Sequence, residues 1–228
     1  MKQKRVPEIM DSPDISPEHH HRALAALERI NQWSDSAGIV WREIYPILEN
    51  KKVLRVLDVA TGGGDVPIAL WKLAHQAGVK LEIAGCDKSA TAIAHAKANA
   101  EKQGVCIDWF IWDVFTDPLP QGYDVIVSSL FMHHLDSSQA VAFLKKLAGG
   151  AGQRLIVNDL RRSAIGWLLA SGAACVLGSR VVCVDGPRSV RAAYTMAESA
   201  ALAEQAGLGN VKIQPRFPCR FVLSWSRT

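Results

Sequence analysis

The side chains most able to do acid–base chemistry gather in two short runs. Leu130-Phe-Met-His133-His134-Leu-Asp136 holds two adjacent imidazoles, and Leu155-Ile-Val-Asn158-Asp159 ends in an amide and a carboxylate. A histidine titrates near pH 6.5, so His133 or His134 could take the proton of a hydroxyl at neutral pH. A carboxylate at Asp159 could orient the ring and favour the imidazolium that forms. The plain alternatives are that a histidine caps the next helix, and that Asn158 and Asp159 cap a helix or pair with Arg161 or Arg162.

A third run is built to hold a ligand. Leu54-Arg-Val-Leu-Asp58-Val-Ala60-Thr61-Gly62-Gly63-Gly64-Asp65-Val-Pro67 reads as a strand, a glycine turn and a helix start, an order that binds nucleotide-like ligands where a parallel sheet reverses its winding. A dinucleotide fingerprint would put its third glycine at Pro67, and a carboxylate at Asp58 would repel a pyrophosphate. Both weigh against a nicotinamide-dependent oxidoreductase, and Asp58 suits a cationic ligand better. Two more acids follow at strand ends, Asp87 after Ile83-Ala-Gly-Cys and Asp113 after Phe110-Ile-Trp.

With these acids the chain resembles the class I S-adenosylmethionine-dependent methyltransferases, whose glycine loop follows an acidic residue in the first strand. Ala60 replaces the usual first glycine. The resemblance implies S-adenosylmethionine as cofactor, held by Asp58, Ala60, Thr61, Gly62, Gly64, Asp87, Lys88, Asp113, Val114 and Ser128. In it Asp87 takes the ribose hydroxyls and Asp113 the adenine amino group. The His133-His134 segment resembles that of small-molecule methyltransferases related to ubiquinone-biosynthesis and sugar O-methylating enzymes. It implies methyl transfer to a small phenolic or polyketide-like hydroxyl, with His133, His134 and Asp159 as catalytic residues. Ring C-methylation, a protein or RNA acceptor and a non-catalytic cofactor-binding module are the other readings. Ser128-Ser129 and Asn158-Asp159 depart from the acids of metal-dependent catechol methylation, so no metal is expected. The His19–His21 triplet does not change this, because helix neighbours point about 100° apart.

The elements that must position these residues alternate from Val53 onward. β-Branched runs predict strands near 53–59, 80–86, 106–112, 123–128, 153–158, 210–216 and 219–226, with helices filling the gaps. Pro215 to Cys219 leaves room only for a turn, so the last two strands form an antiparallel hairpin. The fold class is therefore α/β, a doubly wound, mostly parallel seven-stranded sheet, Rossmann-like, with a C-terminal antiparallel hairpin and an N-terminal helical cap. Residues 1–50 form the arm and cap, with 1–15 a flexible arm, and 51–228 the core. Ser16-Pro17-Glu18 starts a cap helix, and a second spans 36–48.

A lid insertion is expected at about 161–195. The run from Ser163 to Val184, with Ile165, Trp167, Leu168, Leu169, Val176 and Leu177, is too apolar for an exposed surface helix, and Trp167 and Leu168 are its substrate-facing candidates. A buried core helix or a homodimer interface would explain the same composition. Arg188, Arg191, Tyr194 and Thr195 read as a solvated loop leading into a helix that ends at Gly207.

Composition bounds the rest. The 228 residues, 49% hydrophobic and 21% charged, suit one compact domain. The 26 basic against 22 acidic residues give a formal net charge of +4, too mild and scattered for a nucleic-acid partner. No basic stripe interleaves the seven tryptophans, which read as core and cap packing. No apolar region follows the basic start, and Ala164 to Ser179 is too short to span a bilayer, so neither a secretory signal nor a membrane span is expected and the cytoplasm is the default. The five cysteines form no C-x-x-C pair and read as reduced, mostly buried small hydrophobes.

Overall fold

The computed structural model describes residues 1–11, 15–48, 53–174 and 180–227. Two helices come first. Helix α1 (Pro17–Trp33) is opened by Ser16, whose side chain accepts from the His19 backbone N–H, with Pro17 in the first turn. Helix α2 (Ser36–Leu48) follows and buries Ile39, Val40 and Ile44.

Seven strands then make one sheet: β1 (Val53–Val59), β2 (Lys80–Asp87), β3 (Asp108–Ile111), β4 (Tyr123–Ser129), β5 (Ala151–Leu160), β6 (Lys212–Arg216) and β7 (Arg220–Ser226), in the order β3-β2-β1-β4-β5-β7-β6. The first five are parallel, and β7 runs antiparallel to both β5 and β6. This is the doubly wound sheet with a terminal hairpin that the sequence predicts. The connections carry α3 (Asp65–Gln76), α4 (Ala90–Lys102), α5 (Ser137–Gly150), α6 (Ala164–Ala174), α7 (Arg180–Ala192) and α8 (Met196–Gln205). Helices α5 and α8 each open with a reciprocal capping box, Asp136 with Gln139 and Thr195 with Glu198.

Each sheet face has its own core. Leu57, Ile126, Leu155 and Phe221 pack with Phe143 and Leu144 of α5 on one side. Leu54, Val56, Ile156 and Val222 pack with Ile39, Ile44 and Leu70 on the other. Burial on both faces is why these strands read as continuous apolar runs rather than alternating ones. No helix among the described residues is long and apolar enough to cross a membrane.

Several expectations need correction. Residues 112–122 hold turns rather than a helix, since Pro118 and Pro120 supply no backbone N–H for one. Strand β3 is shorter than expected and stops before Trp112. The arm is not free: Lys4 N–H donates to Arg191 O at 3.0 Å, and Gln3 Nε2 donates to Ala192 O at 2.7 Å, tying it to α7. Tyr194 is not a solvated residue but a buried one, its hydroxyl donating to Leu135 O at 2.8 Å. Of the described cysteines only Cys86 is buried, Cys106 being exposed and Cys183 and Cys219 half-buried. Trp33 is exposed and lies against Phe217, with ring centroids 6.1 Å apart. Helix α6 leaves Ile165, Leu168 and Leu169 exposed despite its apolar character. Cys175, Val176 and Leu177 lie outside the described residues.

Candidate active site

Sheet order reverses between β1 and β4, and the carboxyl ends of these neighbours open the crevice where ligands bind in such folds. The backbone marks the place. Ala60, just past β1, and Leu130, just past β4, both adopt left-handed φ of +57° although neither is glycine. Strain of this kind persists where surrounding structure enforces it, and it gathers at functional sites.

The glycine loop is braced on its neighbours. Thr61 N–H donates to Cys86 O at 3.0 Å, and Gly62 N–H donates to Asp87 Oδ2 at 3.0 Å. The other Asp87 oxygen accepts from Ser89 N–H at 2.9 Å, and Trp112 N–H donates to Asp87 O at 3.0 Å. Asp87 therefore joins the loop, the start of α4 and the turn that carries Asp113. That turn is closed by Phe115 N–H donating to Asp113 Oδ1 at 2.8 Å. Gly64 sits at φ +76°, where a Cβ would meet the Trp109 ring at 2.5 Å, so no larger residue fits.

Asp58 is buried at the end of β1. One oxygen accepts from Thr61 Oγ1 at 2.6 Å and the other has no partner. Desolvation pushes its pKa up to about 7 against the Thr61 hydrogen bond, with the charges of Asp65 and Asp87 adding. An unpaired buried carboxylate oxygen beside a glycine loop suits a ligand bearing positive charge, which S-adenosylmethionine supplies in its sulfonium and ammonium groups. The residues present fit that cofactor. Ser128, in register with Val59 between β1 and β4, is also buried with its hydroxyl unpaired. Val114 is buried and Lys88 exposed.

The second cluster stands over β4 and β5. The turn Met132–His134 places His133 against Asp159: its backbone N–H donates to Asp159 Oδ2 at 3.0 Å, and Nδ1 lies 2.6 Å from Oδ1. Asp159 thus pairs with a histidine, not with Arg161 or Arg162. Burial opposes charge on His133, yet the charge and hydrogen bond of Asp159, with Glu8 behind them, push its pKa up to about 10. Burial would raise Asp159 in turn, but His133 and the Leu160 N–H hold it below the usual carboxylate range. Nδ1 of His133 faces Asp159 and Nε2 faces Glu8, an arrangement that favours the imidazolium, a hydrogen-bond donor. The His134 ring lies beside it, centroids 4.3 Å apart.

Two members of this region escaped the sequence reading. Glu8, from the arm, is buried with Oε1 3.8 Å from His133 Nε2. Glu8, His133 and His134 bring three ligating atoms within 4.8 Å of one another. Arg220 of β7 is buried and donates to Ser36 Oγ and Asn31 Oδ1; burial pulls its pKa down to about 10, against the charges of Asp159 and Asp65. Neither had a local signal, because each acts on residues distant in sequence. Trp167 and Leu168 lie on α6, Leu168 exposed and Trp167 at 37% exposure. Among the described residues their hydrogen bonds and ring contacts join them to neither cluster.

Comparison with known proteins bears on the fold that carries these residues. Residues 56–149, from β1 through most of α5, match the family model described as a methyltransferase domain. No curated protein sequence matches the chain. Among solved structures it is similar to a SAM-dependent methyltransferase from Aquifex aeolicus, with 18% identity, a TM-score of 0.65, and 94% of this chain and 100% of that one covered. It is also similar to human N-acetylserotonin methyltransferase in complex with SAM, at 15% identity and a TM-score of 0.68, covering 93% and 56%. A third is an O-methyltransferase family 2 protein from Planctomyces limnophilus in complex with apigenin, at 19% identity and a TM-score of 0.63, covering 95% and 63%. The chain spans 50% to 63% of the length of four of the solved structures it matches. Over residues 56–149 the chain thus matches a methyltransferase-domain model, and over nearly its whole length it shares the fold of these solved structures.

Proposed function

We propose that the protein transfers the methyl group of S-adenosylmethionine to a hydroxyl of a small phenolic or polyketide-like molecule. The observation that carries this reading is the buried His133–Asp159 pair, 2.6 Å apart, at the carboxyl edge that also presents the glycine loop. When bound, the cofactor supplies an electrophilic methyl group on a positively charged sulfur. Gly62 and Gly64 let the loop backbone approach it, with Ala60 and Thr61 alongside. Asp58 offers its unpaired oxygen to positive charge, and Asp87, which keeps lone pairs beyond the two it uses, accepts from ribose hydroxyls. Asp113 accepts from the adenine amino group. Lys88, Val114 and Ser128 complete the cofactor-binding set.

Over β4 and β5, Asp159 fixes the ring of His133, and His133 with His134 holds the acceptor hydroxyl in line for attack. Alignment supplies most of the acceleration, since a well-oriented encounter can be worth roughly 7–11 kcal/mol. Helix α6, through Trp167 and Leu168, acts as a lid over the acceptor. Ala60 and Leu130, two of the five non-glycine residues with positive φ among the described residues, flank the switch point and support the assignment of one continuous site across β1 and β4.

The test is an acceptor screen with purified protein and methyl-labelled S-adenosylmethionine against phenols, polyketide-like hydroxyl compounds, peptides and RNA. Label in a phenolic or polyketide ether confirms the reading. Label only on ring carbon, peptide or RNA, or none, overturns it.

A further inference from the structure

Residues 1–11 run along α7 and deliver one acidic side chain to the histidine cluster. Besides the bonds from Gln3 and Lys4, Ile9 N–H and Met10 N–H donate to the Asp185 carboxylate at 3.0 and 3.1 Å. The Ser189 hydroxyl donates to Glu8 Oε1. These bonds turn Glu8 inward, 9% exposed, to the side of His133 opposite Asp159.

The separation across that side is informative. Nε2 of His133 and Oε1 of Glu8 are 3.8 Å apart, too far for a direct hydrogen bond. One hydroxyl oxygen about 2.8 Å from each would bridge them, receiving a hydrogen bond from Nε2–H and donating its own to the carboxylate. With Asp159 on one flank and Glu8 on the other, His133 is held as a donor and cannot also take the hydroxyl's proton. The titratable groups facing the ring are Asp159 from β5, Glu8 from the arm and the neighbouring His134. Arg220 stands behind Asp159, and Asp185 and Arg188 of α7 behind Glu8.

We propose that Glu8 is a catalytic residue, the group that accepts the acceptor's proton. The acceptor hydroxyl lies between His133 Nε2 and Glu8 Oε1. Its oxygen forms a bond to the methyl carbon as the carbon–sulfur bond breaks, the electron pair of that bond going to sulfur to leave the neutral thioether. The O–H proton passes to the Glu8 carboxylate, which suffices as a base because the hydroxyl becomes strongly acidic as its oxygen is alkylated. This assignment rests on the methyl-transfer reading above. Both side chains are under one-tenth exposed, so the bridging position between them is shielded from bulk water.

The experiment compares the wild-type chain with Glu8→Gln and Glu8→Asp on an acceptor that the wild type methylates, alongside cofactor affinity, melting temperature and the imidazole titration of His133 by NMR. Glu8→Gln should lower kcat by about 10²–10³-fold with cofactor Kd unchanged and Tm lower by only a few degrees, and Glu8→Asp should recover part of the loss in kcat. In the free protein Glu8→Gln should also move the His133 midpoint down by about one pH unit or more. Near-normal turnover by Glu8→Gln, or an unmoved His133 titration, overturns the assignment of Glu8. So does activity lost to a chelator and restored by zinc, which would put a cation in the gap. No turnover by the wild-type chain on any acceptor overturns the methyl-transfer reading itself.

Discussion

Arg220 Nη2 donates to Asn31 Oδ1 at 2.9 Å, joining β7 to α1 deep inside the molecule. The same guanidinium donates to Ser36 of α2, and the charges of Asp65 at the start of α3 and Asp159 at the end of β5 bear on it. One buried cation thus fixes both cap helices over the sheet edge. Arg220→Ala should cost about 2–4 kcal/mol in urea unfolding, because the buried Ser36 and Asn31 oxygens lose their donor and a favourable charge is withdrawn from Asp65 and Asp159. A loss under about 1 kcal/mol would show that water or a shift of Asn31 compensates.

The glycine loop separates two kinds of glycine. An added Cβ at Gly62 meets nothing within 4 Å, and at Gly64 it meets Trp109 at 2.5 Å and Ala96 at 2.9 Å. Both have positive φ, so Gly62→Ala should cost about 1–2 kcal/mol from backbone strain alone. Gly64→Ala should cost about 1–3 kcal/mol more through overpacking. Calorimetry with S-adenosylmethionine should show Gly62→Ala losing affinity beyond its stability loss, since its methyl points into open space over the loop.

Asp58 makes the ligand-free protein sensitive to pH. Its folded pKa of about 7 lies above the ordinary carboxyl value, so the folded state binds more protons than the unfolded one between about pH 4 and 7. Stability from this group therefore falls as pH rises through that window. Asp58→Asn should flatten the fall in Tm and raise Tm at pH 7–8, while weakening cofactor binding. A Tm profile unchanged by the substitution would count against an ionised, unpaired Asp58.

His133 acts in the alkaline range. Its folded pKa of about 10 exceeds the ordinary histidine value of about 6.5, so its contribution is complete below about pH 6.5 and is lost as pH rises through about 10. Melting curves from pH 6 to 10.5 should show that decline, and Asp159→Asn should remove most of it while lowering Tm throughout. A steep decline retained in Asp159→Asn would assign it to another group.

The exposed side chains of α6 let the lid be tested without unfolding the core. Leu168→Ala and Trp167→Ala should leave Tm within about 2 °C, because neither side chain is buried. If α6 covers the acceptor, acceptor KM rises several-fold and cofactor affinity stays constant. An unchanged KM with a weakened dimer in ultracentrifugation would instead make the run an interface.

The sheet, its hairpin, the cap helices and the strand-end acids could be read from sequence because their signals are local: Ser16-Pro17-Glu18 opens a helix, and β-branched runs bounded by turns make strands. The His133–Asp159 pairing was also within reach, since the parallel register of β4 and β5 brings Ser129 level with Asn158. Glu8 and Arg220 were not. A glutamate in a polar arm and an arginine after a turn look solvated, and only the docking of the arm on α7 and of β7 on β5 buries them. The exposure of α6 was misread for the opposite reason, because an apolar run says that a helix wants cover without saying what covers it.

The position of β7 has a consequence for synthesis. Strand β5 carries Asp159 and is flanked by β4, made before it, and by β7, made only after α6, α7, α8 and β6. Until Arg220–Ser226 has left the ribosome, β5 is a long apolar strand with one row of backbone groups unpaired, the kind of edge that invites pairing with other chains. The nascent chain is therefore most exposed to aggregation in the interval when the strand that carries Asp159 is built but not yet enclosed.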